Sequence, residues 1–333
     1  MSRRKDETYS KDKLNEIARK NNIAILQPVN LENYKSISVE EMATDTPPPQ
    51  EYIFHPCLPT QGIAWIYAPS GIGKTLFTAN LAYAIANGGS FLKYKCPIPR
   101  KVLYVDGEMA YNQLYSRIMT IREREGKLDY PENLQFLTPD KILPFRMPKM
   151  DTIEGQNIYT EKLLKEEFEV IVFDNLTMLS AFDENSAQEW KPIGDWQLHL
   201  RSLGKTIINV HHSGKDAKVY RGSSAMIASA DVVISLQPVN ENDLEDELIN
   251  CKKFKVKYEK ARNFSGQDAL PFEVNFMNKI WSFQSLERTE MERVVEMTNL
   301  KMTQTNIAKE LNCGQSKVAK LAGKARRLGL LPS

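Results

Sequence analysis

Ile63-Ala-Trp-Ile-Tyr-Ala-Pro-Ser-Gly-Ile-Gly-Lys-Thr75 is the stretch on which the reading of this chain turns. The apolar and aromatic run Ile63–Tyr67 predicts a buried strand. Ala68-Pro-Ser-Gly-Ile-Gly-Lys-Thr75 interrupts it, and Thr75–Ala86 then predicts a helix closed by Asn87-Gly88-Gly89. A strand, a glycine-bearing loop ending in Lys-Thr and a helix form the phosphate-loop pattern, here with Ala68 in place of the first glycine. Gly71 and Gly73 let the backbone curl so that its N–H groups converge on an anion. The helix start adds its positive dipole end. Lys74 supplies a point charge for β- and γ-phosphates, and Thr75 a hydroxyl for Mg²⁺. Ala68, Pro69, Ser70, Gly71, Ile72, Gly73, Lys74, Thr75 and Leu76 are therefore candidate nucleotide contacts, with ATP and Mg²⁺ the expected cofactors.

Working outward, Val102–Asp106, Leu134–Leu137, Val170–Asp174, Thr206–His211 and Val232–Leu236 predict further strands, with helical segments between several of them. Short β-branched runs followed by helices indicate an α/β fold with a mostly parallel sheet covered on both faces. After Cys251, the runs Lys253–Arg262, Phe272–Phe276 and Lys279–Phe283 predict hairpin-type strands extending one edge. Residues 1–50 are polar, with a short helix expected from Lys11 to Lys20. Thr44-Asp-Thr-Pro-Pro-Pro-Gln50 reads as a linker. The expected organisation is a polar segment (1–50), an α/β domain (51–285) and a small helical domain (286–333).

Ligands of open parallel sheets bind at the carboxyl ends of strands. Asp174 ends one such strand and is the candidate Mg²⁺-holding acid, unless it caps the next segment. Glu108, just past Asp106, is the candidate general base; a solvated loop acid is the alternative. His212, in a His211-His212 pair, is placed to sense the γ-phosphate, although a lone histidine is more often structural.

Lys+Arg number 44 and Asp+Glu 42, a net charge of +2 that identifies no partner. The distribution is more telling: residues 299–333 hold seven basic side chains and one acid, Glu310. The four cysteines are far apart and form no Cys-x-x-Cys pair, which argues against a zinc site or disulfide framework and for a reducing compartment. No run reaches the roughly 18 apolar residues of a membrane helix, so the expected location is cytoplasmic.

Gly62–Thr75, Tyr104-Val-Asp-Gly-Glu-Met109, Phe173-Asp-Asn175, His211-His-Ser-Gly-Lys215 and Arg221-Gly-Ser-Ser224 together resemble the RecA-like ATPases. The segment is most similar to RepA-type hexameric helicase ATPases, relatives of the DnaB core, over roughly Tyr52–Phe283. The resemblance implies a RecA-like P-loop fold, a homo-hexameric ring with ATP sites between subunits, and single-stranded DNA in a central channel. It keeps the roles of Lys74, Thr75, Glu108, Asp174 and His212. It also implies that Lys260-Ala-Arg262 supplies trans-acting cations, Lys260 and Arg262, to a neighbour's γ-phosphoryl group. The alternative for these two is a basic edge strand that deters aggregation.

Two segments are candidate DNA contacts. Lys215, Lys218, Tyr220 and Arg221 follow His212 in a polar loop, the cations suited to phosphates and Tyr220 to stacking. Thr303–Leu311, the turn Asn312-Cys-Gly314 and Gln315–Leu321, continuing to Arg327, resemble a helix-turn-helix. Ile307, Leu311, Val318 and Leu321 would form its core, with small Ala308 at the helix contact. Gln315, Ser316, Lys317 and Lys320 would face duplex DNA, unless the hairpin serves oligomer contacts. The leading expectation is a DNA-dependent ATPase, a ring helicase of a plasmid, phage or other mobile element. An ATP-switched DNA-binding regulator or helicase loader, or a repair or recombination ATPase, are the alternatives.

Overall fold

The computed structural model describes residues 35–126, 131–214, 222–239 and 251–332, without the side chains of 287–289. The predicted helix Lys11–Lys20 and the loop residues Lys215, Lys218, Tyr220 and Arg221 lie outside them. The chain forms two units, Met1–Pro49 and Gln50–Ser333. In the first, α1 (Val39–Thr44) is an addition to the sequence reading. Its start is a capping box in which Ser38 and Glu41 satisfy each other's backbone N–H groups. Residues 46–50 carry no regular structure, whereas Thr44, the first residue of the expected linker, ends α1.

The second unit opens with a small ladder of β1 (Tyr52–Phe54) and β2 (Leu58–Pro59), too short for a periodicity to reveal. Then come β3 (Ile63–Ala68), α2 (Lys74–Asn87), the two-residue strands β4 (Ser90–Phe91) and β5 (Tyr94–Lys95), and β6 (Val102–Asp106). After these follow α3 (Tyr111–Arg124), β7 (Leu134–Leu137), α4 (Ile153–Lys165), β8 (Val170–Asp174), α5 (Leu176–Leu179), α6 (Ala187–Ser202) and β9 (Thr206–His212). Finally come α7 (Ala225–Ala228), β10 (Val232–Pro238), β11 (Cys251–Ala261), β12 (Phe272–Met277), β13 (Ile280–Ser285), α8 (Leu286–Asn299), α9 (Gln304–Glu310) and α10 (Gln315–Arg327).

One nine-stranded sheet runs in the order β13-β12-β11-β10-β3-β9-β8-β6-β7. The strands from β10 through β7 pair in parallel. β10 to β13 pair antiparallel and extend one edge. Both faces of the parallel part are covered, which is why strands such as β3 and β8 are largely apolar along their length. Along β3, Ala64, Ile66 and Ala68 enter one core with Phe77, Leu81 and Ile85 of α2. Ile63, Trp65 and Tyr67 enter the other, with Trp190, Ile193 and Leu200 of α6. Among the described residues no helix is long and apolar enough to cross a membrane.

The C-terminal helices have a core of their own, with Val294, Ile307, Val318, Leu321 and Ala325 buried and Leu311 partly so. Ala308 is buried at the predicted helix contact. α8 begins at Leu286, directly after Ser285 ends β13, so no linker separates these helices from the sheet. β11 is flanked by β10 and β12 along Phe254–Val256, whereas from Lys257 to Ala261 its strand partner is β10. Lys260 thus has a strand neighbour on one side among the described residues, and the basic edge-strand alternative for Lys260 and Arg262 stands beside the trans-acting one.

Candidate nucleotide site

β3 enters the site from the middle of the sheet, and the chain must turn at once into α2. Gly71 (φ 82°) and Gly73 (φ 108°) hold the left-handed backbone that this turn requires, where a side chain would be strained. Gly73 is also the N-cap of α2 and has no side chain over the first turn. The helix's free N–H groups are left for an anion.

Lys74 is buried and folds back over the loop. Its Nζ donates to Nδ1 of His212 at 2.9 Å and to the Ala68 carbonyl at 3.4 Å. The Ser70 hydroxyl lies 3.4 Å from the same imidazole nitrogen. His212 reaches this place because β9 pairs with β3 in parallel and sets His212 beside Ala68. Burial lowers the Lys74 pKa to about 8, against the opposing pull of Asp174 and Glu108.

Asp174 sits at the end of β8, in register with Asp106 of β6. Its carboxylate accepts from the Tyr104 hydroxyl at 2.5 Å and from Thr75. Burial pushes its pKa upward, and those hydrogen bonds and Lys74 restrain the rise. The capping alternative fails for Asp174: Asn175 is the N-cap of α5, its Oδ1 accepting from Met178 N at 3.2 Å. Asn175 Nδ2 donates to Glu108 Oε2 at 2.8 Å, which fixes the candidate base beside the β8 end. Asp106 shapes the turn carrying Glu108, since its Oδ1 accepts from the N–H groups of Glu108 and Met109. Burial raises the Asp106 pKa to about 6, and its Oδ2 is buried without a hydrogen-bond partner.

These parts line a cleft of about 590 Å³, with Ser70, Gly71, Gly73, Lys74, Thr75, Leu76, Glu108, Asn175 and His212 on its wall. Gln113 and Arg117 of α3, and Lys252 and Phe276 of the antiparallel extension, also line it; like Asn175, they had no role in the sequence reading. Gln113 and Arg117 are one helical turn apart beside Glu108, a spacing that would have shown the shared face. Lys252 and Phe276 had no comparable signal, because only the β11–β12 register brings them together.

The residues present fit Mg²⁺ with a nucleotide. Thr75 and Asp174 offer two adjoining oxygen ligands, and phosphate oxygens and water would supply the rest of an octahedral set. Among the described residues no group of three or more His, Cys, Asp or Glu could hold a metal by itself. The metal's contribution, when bound, is to neutralise charge on the β- and γ-phosphates.

Lys260 and Arg262 do not join this cleft. Lys260 pairs with Val233, which pairs with Trp65, about 10 Å along β3 before the loop begins. Lys260 Nζ donates to the carbonyls of Ile227 and Ala228 at 2.9 and 2.7 Å, and Arg262 Nη2 to Ala228 at 3.1 Å. Both cap the C-terminal end of α7. Among the helix-turn-helix candidates, Gln315, Ser316, Lys317 and Lys320 are all exposed, but Lys317 is tied to Glu290 of α8 at 2.7 Å.

Comparison with known proteins agrees with this geometry. A family model described as an AAA domain matches residues 28–218, more than half of the chain. A KaiC-like protein from the hyperthermophilic archaeon Pyrococcus horikoshii OT3 superposes with a TM-score of 0.50 at 14% identity. The superposition covers 72% of this chain and 100% of the other, and at that identity it speaks for the fold alone. No curated protein matches the chain. A phosphate loop set at the centre of a RecA-type sheet, within the matched segment, leads to one conclusion: the chain belongs to the AAA domain family and is a P-loop ATPase.

Proposed function

We propose that this ATPase is a DNA-dependent motor, a ring-forming helicase of a plasmid, phage or other mobile element, hydrolysing ATP at the interfaces of a homo-hexamer. The observation that carries the reading is the position of His212. It touches Lys74 and the Ser70 hydroxyl on one side, and on the other it leads into the basic loop that holds Lys215, Lys218, Tyr220 and Arg221. A group that exchanges its contacts when a γ-phosphate arrives is well placed to change the grip of that loop on single-stranded DNA. In the hydrolytic step Glu108, oriented by Asn175, accepts a proton from the attacking water. Lys74 and the loop N–H groups stabilise charge on the transferring phosphoryl group. Lys260 and Arg262, remote from their own loop, complete the site of a neighbouring copy. α8–α10 hold duplex DNA as a helix-turn-helix.

The test is ATP turnover with and without single-stranded DNA, followed by unwinding of a forked duplex. Stimulation and strand separation support the motor. ATP-dependent duplex binding without strand separation favours the second reading, an ATP-switched DNA-binding regulator or loader. The formed three-helix module is what recommends that second reading.

A further inference from the structure

The two sides of the phosphate loop are chemically unlike. Counting from β3 through β9 and β8 to β6, the strands deliver His212, Asp174, Asn175 and Glu108, the groups suited to a γ-phosphate. Counting the other way, through β10 to β11 and β12, they deliver Lys252 and Phe276. The wall on this second side abuts the loop: a Cβ placed on Gly73 would lie 3.6 Å from Cγ of Lys252. Phe276 is the register partner of Lys252, one strand spacing, about 5 Å, further out. Behind Phe276 stands its own register partner on β13, Trp281, with ring centroids 4.7 Å apart and planes tilted by 44°. Phe276 is half-buried, so it borders the cleft without being absorbed into the core.

We propose that Phe276 is the nucleobase platform of this site, with Lys252 beside it along the sugar-phosphate. This rests on the phosphate-loop reading above. With the γ-phosphate end committed to the β8–β6 side, the base of the same nucleotide extends toward β11–β12, where an aromatic face held by Trp281 meets it. Stacking uses the π-face that every base possesses and reads no hydrogen-bonding edge. Discrimination among purine and pyrimidine nucleoside triphosphates is therefore shallow at this wall, and the phosphates carry most of the recognition.

The test compares ATP with inorganic tripolyphosphate, which has the phosphates and no base, as ligands of the full chain. Removing a base-stacking aromatic typically weakens binding by about 5- to 150-fold. Phe276→Ala should weaken ATP by that factor and leave tripolyphosphate within about twofold. Phe276→Tyr should restore ATP, whereas Phe276→Leu, which keeps apolar bulk and lacks the π-face, should not. In the unaltered protein, kcat/KM for ATP, GTP and CTP should agree within about tenfold. Equal loss of both ligands in Phe276→Ala, an unchanged ATP affinity, or a preference for ATP above about 100-fold would overturn the platform alone. Absence of tripolyphosphate and ATP binding in the unaltered protein would overturn the phosphate-loop reading and the platform with it.

Discussion

Asn175 Nδ2 donates to Glu108 Oε2 at 2.8 Å, joining the residue after the β8 acid to the candidate base carried by the neighbouring strand. Glu108 also lines the cleft. The bond means that a change at Glu108 can be made nearly isosteric, because an amide can still accept from Asn175.

Glu108→Gln should accordingly bind ATP with close to normal affinity and lose turnover by about 10²–10⁴-fold, the range for removing a general base. Equilibrium binding of a fluorescent ATP analogue and steady-state turnover, on the same preparation, check both halves. Loss of binding would make Glu108 a structural residue.

Arg262→Ala should be inactive alone and regain activity when mixed with Lys74→Ala. Arg262 donates to the Ala228 carbonyl, at the far end of β3 from its own phosphate loop, so it has no path to its own nucleotide. A mixed interface pairs an intact loop from one subunit with an intact arginine from the other. Because such a finger is worth about 10³–10⁵ in rate, a minority of restored sites is measurable. No recovery at any ratio, with subunit exchange demonstrated, would confine Arg262 to capping α7.

Lys320→Ala should reduce the slope of log affinity against log salt for duplex DNA by about one, the signature of one lost phosphate contact. Lys317→Ala should change it less, since Glu290 already holds that ammonium at 2.7 Å. Fluorescence anisotropy across a salt series reads both. Unchanged slopes would favour the oligomer-contact reading of these helices.

Asn209→Leu should destabilise the domain by about 1–3 kcal/mol. Asn209 of β9 and Gln197 of α6 are buried and exchange two hydrogen bonds, at 2.9 and 3.0 Å. The single change strands the Gln197 amide, whereas Asn209→Leu with Gln197→Leu removes both partners and should recover much of the loss. Denaturant midpoints measure the difference.

The parallel core was legible because its central strands are buried on both faces, so Ile63–Tyr67 or Val170–Phe173 stands out as an apolar run. The phosphate loop was legible because its glycines and Lys74 are adjacent in sequence. Glu108, Asp174 and His212 follow from strand ends. Phe276, Lys252 and the Asn175–Glu108 bond were not, because they depend on strand order and register. The capping of α7 by Lys260 and Arg262 was hidden for the same reason: those residues are more than 30 positions from the carbonyls they meet. Ladders as short as β1–β2 and β4–β5 carry no period to read.

The most direct test of the account is the ATP turnover of the purified full chain with Mg²⁺, measured with and without single-stranded DNA, beside Lys74→Ala. The account predicts turnover that single-stranded DNA raises and that Lys74→Ala abolishes in both conditions, because that change removes the loop's only side-chain cation. Turnover undiminished in Lys74→Ala would contradict the nucleotide site itself. Turnover lost in Lys74→Ala but indifferent to DNA in the unaltered chain would contradict the motor.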